Sequence, residues 1–377
     1  MNIFLLRSGP ANPDSRVEKE VDTLIKSGYN VKVIAWDRDQ RYKAKDVNLN
    51  LNHGIMNIIR IGIPASFGAG FKSNLIPLLK FQIGLFKQLY KHRKRIDCIH
   101  ACDFDTVIPA LVISKIFKKK LVYDIFDYYI DCHNMPKYIR NFVKNFDEWA
   151  IKSADATIIC SEKRKEQIGD SHPRKLYIIH NSPPKVNLKD QNKFNLDKAK
   201  VKIVYIGCLQ QGRMINELIR ICSKMNGFEL HIGGFGDQKL ESYIKQMSQE
   251  NENIKFYGKL AYQDVLELEA ASDIMLAIYD PKIPNHKYAA PNKFYEALML
   301  GKPVIMARNT GMDFLVEKYD IGKVIEYNSE SLRNALVELA SIQSEWDNMS
   351  KRMKELYSKM FSWNEMERRL IDLYQNI

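Results

Sequence analysis

No stretch of this sequence approaches the roughly 20 consecutive apolar residues that a bilayer-spanning helix needs. Cysteine is scarce and unpaired in pattern: six residues lie scattered singly. Cys98 and Cys102 flank His100, but no second ligand pair accompanies them, which argues against zinc and for reduced cytosolic thiols. No helix-turn-helix, zinc-finger or RNA-binding signature is present, so a nucleic-acid partner is not expected. The glycine cluster GGFGD after residues 228–232 does not have the spacing of the dinucleotide fingerprint, which would also sit at a first strand-to-helix turn, and this disfavours NAD. The opening MNIFLLRSGP is too short and polar for a signal peptide and reads as a first buried strand. Acidic charge is short in the first half: residues 1–200 hold 35 Lys+Arg against 21 Asp+Glu, whereas residues 201–377 hold 22 against 24. A basic half beside a near-neutral half implies that one domain faces something anionic.

What is present is alternation. Strand-like runs at Asn2–Leu6, 31–36, 56–63, 98–101, 121–125, 156–160 and 176–180 are separated by helical periodicity, the pattern of a parallel α/β sheet. Gly28 ends the first helix, and Asp14 or Ser15 is a candidate cap, with Glu18 placed for a Ser15 capping box. Residues 75–90 form an apolar helix with Lys80, Lys87 and Lys91 along one edge, followed by Arg93, Lys94 and Arg95. That combination suits contact with an anionic membrane surface. The polar stretch KVNLKDQNKFNLDKAK reads as an interdomain linker. A second β-α-β series begins at Val201. The expected domains are 1–190 and 200–360, with a helix at 361–377 packing back on the first. At 377 residues the chain is long enough for two cores.

Ligands bind at the carboxyl ends of strands in such sheets. This edge of the first domain offers Asp14, Arg16, His100, Asp103, Asp105, Asp124 and Asp127. Carboxylates there suit hydroxyl binding or proton transfer. In the second domain Gly207 and Gly212 allow tight turns before Arg213, whose guanidinium suits a diphosphate. The segment Pro284–Met306 reads as a loop, a short helix and a buried strand. Pro291 suits a first helical turn, and Gly301 a left-handed cap. Phe294, Ala297 and Leu298 give the helix an apolar face. Lys293 and Glu296 lie three apart on one side, a lysine beside a helix N-terminus being a ready phosphate site.

The segments VEKEVDTLIKSGYNVKVIAWDRD, IHACDFDTVIPA, LVYDIFD, ADATIICSE, YIIHNSP, YIGCLQQGR, ELHIGGFGD, PNKFYEALMLGKPVI and FSWNEMERRLIDLY stand in the order seen in family-4 retaining glycosyltransferases. The resemblance covers nearly the whole chain. It implies the glycosyltransferase-B fold, an α/β architecture of two doubly wound Rossmann-like domains facing across a cleft. It further implies a basic, membrane-facing acceptor domain and a C-terminal nucleotide-sugar domain. By that resemblance Gly207, Arg213, Gly234, Gly236, Tyr288, Asn292, Lys293, Phe294 and Glu296 contact the donor. Arg213 meets the diphosphate and Glu296 the ribose. Asp14, Arg16, His100 and Asp103 face the acceptor, and Asp124, Asp127, Arg213 and Lys293 carry the chemistry. The implied activity is metal-independent, retaining hexosyl transfer from a nucleotide sugar, UDP preferred over GDP, with no cofactor. The acceptor is a saccharide carried on lipid, in bacterial surface polysaccharide synthesis at the inner face of the cell membrane. Three positions depart from the pattern: Tyr288 replaces the first Glu of the Glu–seven residues–Glu motif, Cys208 an Arg, and Phe126 a His. A nucleotide-sugar epimerase and a non-catalytic sugar-nucleotide-binding protein are the rival readings.

Overall fold

The chain divides into two units, Met1–His180 with Met366–Ile377, and Asn181–Glu365. They are taken from a computed structural model that describes residues 1–41, 46–66, 70–133, 135–186, 188, 193–194 and 196–377.

The first unit is built on eight strands: β1 (Asn2–Arg7), β2 (Asn30–Asp37), β3 (Asp46–Asn50), β4 (Ile55–Gly62), β5 (Cys98–Cys102), β6 (Lys120–Ile125), β7 (Ala156–Ile159) and β8 (Leu176–Ile178). Their order is β3-β4-β2-β1-β5-β6-β7-β8. All neighbours pair in parallel except β3, which runs antiparallel to β4. The central strands are continuous apolar runs because helices cover both of their faces. Those helices are α1 (Ser15–Lys26), α2 (Gly70–His92), α3 (Phe104–Phe117), α4 (Tyr129–Cys132), α5 (Lys137–Ser153) and α6 (Arg164–Ile168). The edge strand β3, DVNLN, is too polar to be read from sequence. Asp14, not Ser15, caps α1: its side chain accepts from the Val17 amide, and Glu18 Oε1 accepts from the Asp14 amide at 3.1 Å. The extended backbone of Asp14 is what a capping residue requires.

The second unit has six parallel strands, β9 (Val201–Leu209), β10 (Phe228–Gly236), β11 (Ile254–Phe256), β12 (Ile274–Leu276), β13 (Val304–Ala307) and β14 (Gly322–Ile325), in the order β11-β10-β9-β12-β13-β14. Helices α7 (Ile215–Cys222), α8 (Gln238–Glu250), α9 (Tyr262–Ala271), α10 (Asn292–Leu300), α11 (Asp313–Tyr319), α12 (Ser329–Ser341) and α13 (Trp346–Leu356) flank them. Pro291 stands one residue ahead of α10, in extended backbone, as its cap. Gly301 ends α10 at φ 71°, the left-handed geometry its missing Cβ permits. The chain then returns to the first unit through α14 (Trp363–Asn376). The stretch expected to be a linker lies partly outside the described residues. Of the rest, Phe194 packs edge-on against Tyr257 and Lys193 pairs with Asp264, both within the second unit.

Among the described residues, no helix is long and apolar enough to cross a membrane. The two sheets of mostly parallel strands make this an α/β fold.

Candidate functional site

In the second unit the carboxyl ends of β9 and β10 run on as a paired glycine ribbon. Gly207 lies opposite Gly234, and Leu209 opposite Gly236. A Cβ on Gly234 would stand 1.9 Å from the Gly207 carbonyl oxygen, and one on Gly236 would stand 2.3 Å from that of Leu209. Glycine is therefore needed for the two backbones to approach. A Cβ on Gly207 would stand 2.5 Å from Lys293 Nζ, so the lysine head lies directly against the end of β9. It also sits 4.8 Å over the Tyr205 ring. Burial pulls the Lys293 pKa down, but Tyr205, Tyr279 and Glu296 outweigh that and hold it above its ordinary value. Lys293 is thus a cation at the strand end. Cys208, where an Arg was implied by resemblance, is exposed beside it.

Arg213 is fixed from two sides. Its guanidinium lies 3.6 Å over the Tyr279 ring, and its Nη1 donates to His286 Nε2 at 3.0 Å. His286 Nδ1 then faces the Asp280 carbonyl at 3.1 Å. A guanidinium can only donate, so His286 Nε2 accepts from it and the ring carries its hydrogen on Nδ1, toward the Asp280 carbonyl. Tyr279 and His286 were not singled out in the sequence. They come from the loop after β12, whose only signals are an aromatic and a histidine flanked by Pro281 and Pro284. A cavity of about 680 Å³ opens beside Arg213, lined also by Asn216, Asp237, Lys239, Tyr243 and Tyr327.

Glu296 is buried and accepts from the Tyr262 hydroxyl at 3.1 Å. Two turns along α9 from Tyr262, on the same side of that helix, lies buried Glu269, another residue the sequence reading passed over. Its Oε2 has no hydrogen-bond partner. Burial and the neighbouring Glu296 push the Glu269 carboxyl well above the usual range, against the pull of Lys293. A proton on Glu269 relieves the repulsion between two buried carboxylates. Asn292 is exposed and accepts from the Asn181 amide at 3.0 Å. Tyr288 is half-buried at the end of the 3-10 turn Pro284–Tyr288. Phe294 is a correction: it is fully buried against Tyr295 and Phe361, in core rather than at a surface a donor can touch.

In the first unit most of the sequence candidates prove to be committed to one another. Arg16 Nη2 meets both Asp124 oxygens at 2.8 and 3.0 Å, and Nε meets Glu20 at 2.9 Å. His100 Nδ1 pairs with the Tyr374 hydroxyl at 2.7 Å, and its Nε2 lies 3.3 Å from Asp124. Arg16, Asp124 and His100 are all buried, so acceptor contact by Arg16 and His100, and proton transfer by Asp124, are corrected to a structural role. Burial raises the Asp124 carboxyl, but Arg16 and His100 more than offset it and hold it below the usual range. His100, Cys102 and Asp124 offer ligand atoms within 4.8 Å of one another. The Arg16 cation already occupies both Asp124 oxygens, so this donor set does not fit a metal ion.

Asp103 and Asp14 share Arg7, at 2.6 and 2.8 Å. Asp103 Oδ1 also accepts from the Phe126 and Asp127 amides at 2.8 and 3.3 Å. It thereby ties the turn after β5 to the turn after β6. Burial lifts the Asp103 pKa to about 6, against Arg7. Phe126 lies between two guanidinium groups, 4.4 Å from Arg7 and 4.3 Å from Arg16. Asp127 is an exposed sequence candidate whose carboxylate is held by Arg164 at 2.9 Å. Beside it the same edge offers Arg38 and Asp105, 3.7 Å apart and half-buried.

Residues 200–341 match the family model described as Glycosyl transferases group 1. No curated protein matches the chain. Solved structures match it over its whole length. Sucrose-phosphate synthase from Thermosynechococcus elongatus is 15% identical with a TM-score of 0.78, covering 100% of this chain and 98% of its own. Anabaena HepE in complex with UDP and glucose is 16% identical with a TM-score of 0.74, covering 100% of both chains. A glycosyltransferase from Rickettsia africae is 14% identical with a TM-score of 0.69, covering 99% of this chain and 97% of its own. The fold is the glycosyltransferase-B fold.

Proposed function

We propose that this chain is a retaining, metal-independent glycosyltransferase of family 4. It moves a hexose from a nucleoside diphosphate sugar, with UDP preferred over GDP, to a saccharide carried on lipid. The setting is bacterial surface polysaccharide synthesis at the inner face of the cell membrane. The observation that carries the reading is the pair of placed cations in the second unit, Lys293 against Gly207 and Arg213 clamped between Tyr279 and His286. The leaving diphosphate gains charge as the glycosidic bond breaks. Cations positioned beforehand stabilise that charge without reorganising. Glu296, oriented by Tyr262, takes the ribose hydroxyls. The HepE structure that matches over its full length holds UDP and glucose, which supports UDP.

In the first unit Asp127, exposed at the strand ends and oriented by Arg164, faces the acceptor, and Arg38 with Asp105 adds acceptor contacts on the same edge. No protein nucleophile is required, since same-face attack lets the departing phosphate help to deprotonate the acceptor hydroxyl.

The test is release of UDP from UDP-sugars with and without a membrane lipid extract. Arg213→Ala and Lys293→Met should each lower kcat/KM by about 10²–10³-fold and leave the circular dichroism spectrum unchanged. Wild-type rates in both variants would sink the assignment. Sugar isomerisation without any acceptor would establish the epimerase instead.

A further inference from the structure

Helices α2, α3 and α5 lie side by side over one face of the first unit's sheet, α2 packing on α3 and α3 on α5. Their inner sides build the core through Phe81, Leu85, Val107, Leu111, Val143 and Ala150. Their outer sides are also apolar, which an ordinary solvated layer is not. On α2, Ile76 is 64% exposed, and Leu79, Ile83 and Tyr90 continue its outer stripe. On α3, Ile116 is 61% exposed, one turn from exposed Val112. On α5, Tyr138 and Phe142 are 75% and 70% exposed, and Trp149 follows on the same side at helical spacing. The sequence drew attention to α2 alone. The fold sets two further apolar stripes beside it.

The charge around this face is predominantly basic, with Glu148 beside Trp149 paired to Lys144 at 3.7 Å. Residues 70–95 hold seven Lys and Arg and no Asp or Glu. Lys115, Lys118 and Lys119 adjoin Ile116, and Lys137 and Lys144 flank the α5 stripe. Aromatic residues amid lysines on parallel helices match the interfacial zone of an anionic bilayer, where rings sit at headgroup depth. A second copy of the chain is the wrong occupant, because it would oppose two basic faces.

We propose that the outer face of α2, α3 and α5 docks flat on an anionic lipid bilayer, with Tyr138, Phe142 and Trp149 of α5 as its aromatic anchor. The proposal deepens the reading of a lipid-linked acceptor, but its test does not depend on catalysis. Sedimentation with sucrose-loaded vesicles of phosphatidylcholine, alone or mixed with phosphatidylglycerol, measures partition. Brominated phosphatidylglycerol measures Trp149 insertion by quenching of its fluorescence. The full chain should bind the anionic vesicles, bind phosphatidylcholine weakly and detach as salt is raised. Tyr138→Ser/Phe142→Ser should lower partition about tenfold, and Trp149→Phe should remove most of the bromine quenching. The thermal shift produced by UDP, read in the same samples, should be unchanged in these variants, because the second unit is untouched.

Absence of wild-type binding to anionic vesicles would overturn the proposal. So would equal partition of the double variant, or a concentration-dependent dimer that the double variant abolishes. Membrane binding without any UDP-sugar turnover would sustain this inference and sink the functional reading. Turnover on a soluble saccharide without membrane binding would do the reverse.

Discussion

Gly207 and Gly234 face each other across β9 and β10, yet replacing each should have a different consequence. Alanine at 234 drives a Cβ to 1.9 Å from a backbone carbonyl in a paired strand, which cannot move alone. Alanine at 207 shares the strain of a positive φ, here 155°, but its Cβ meets the tip of Lys293, which can swing away, rather than a backbone carbonyl. Gly234→Ala should therefore lower stability by about 1–3 kcal/mol, read as a drop in urea midpoint. Gly207→Ala should cost less stability but weaken the UDP thermal shift, because the displaced ammonium is the proposed phosphate contact. A loss of UDP response in proportion to stability in both variants would remove the special role of Lys293. At this scale the sequence reached Lys293 and Glu296 because a three-residue spacing on a helix fixes their common side. It could not reach His286, Tyr279 or Glu269. Their partners lie across turns or on another helix, and no local period records such contacts. For the same reason Arg16, His100 and Asp124 read as ligand groups, although α1, β5 and β6 bring them together to satisfy one another.

At the scale of elements, α5 is fastened to the sheet by a buried carboxyl. Asp147 on α5 accepts from the Tyr123 hydroxyl of β6 at 2.6 Å, and its Oδ2 has no hydrogen-bond partner. Burial lifts the Asp147 pKa to about 7, although the Tyr123 hydrogen bond opposes this. The folded state thus holds a proton that the unfolded chain gives up near the ordinary carboxylate pKa of about 4. More protons bound when folded means that stability falls as pH rises from about 4 through about 7. Asp147→Asn keeps the acceptor for Tyr123 and removes the ionisation. The variant should be more stable than wild type by about 2–4 kcal/mol at pH 8 and nearly equal to it at pH 4, measured by urea unfolding at both. Equal stability at pH 8 would show that Asp147 carries no such penalty. Element order was legible in the sequence because strands buried on both faces are uniform apolar runs between helical periods. β3 was not, since a short polar edge strand exists only through its pairing with β4.

At the scale of the whole molecule, the chain leaves its first unit at His180 and comes back to it at Met366. Met366, Leu370, Leu373 and Tyr374 of α14 are buried, and Tyr374 donates or accepts at His100 in the centre of the first unit's ion-pair cluster. Arg369 also donates to the Ile178 carbonyl at 3.0 Å, holding the last strand of that sheet. Burying four large side chains at about 1.5–3 kcal/mol each amounts to roughly 6–12 kcal/mol, as much as the whole stability of a typical domain. Ending the chain at Glu365 should therefore unfold the first unit and spare the second. Calorimetry of the truncated protein should lose one transition and keep another that still rises with added UDP. Limited proteolysis should likewise cut residues 1–180 while leaving a resistant fragment over 181–365. Loss of both transitions would mean that the second unit cannot fold without the first. Retention of both would mean that α14 is an accessory to the first unit, not part of its core.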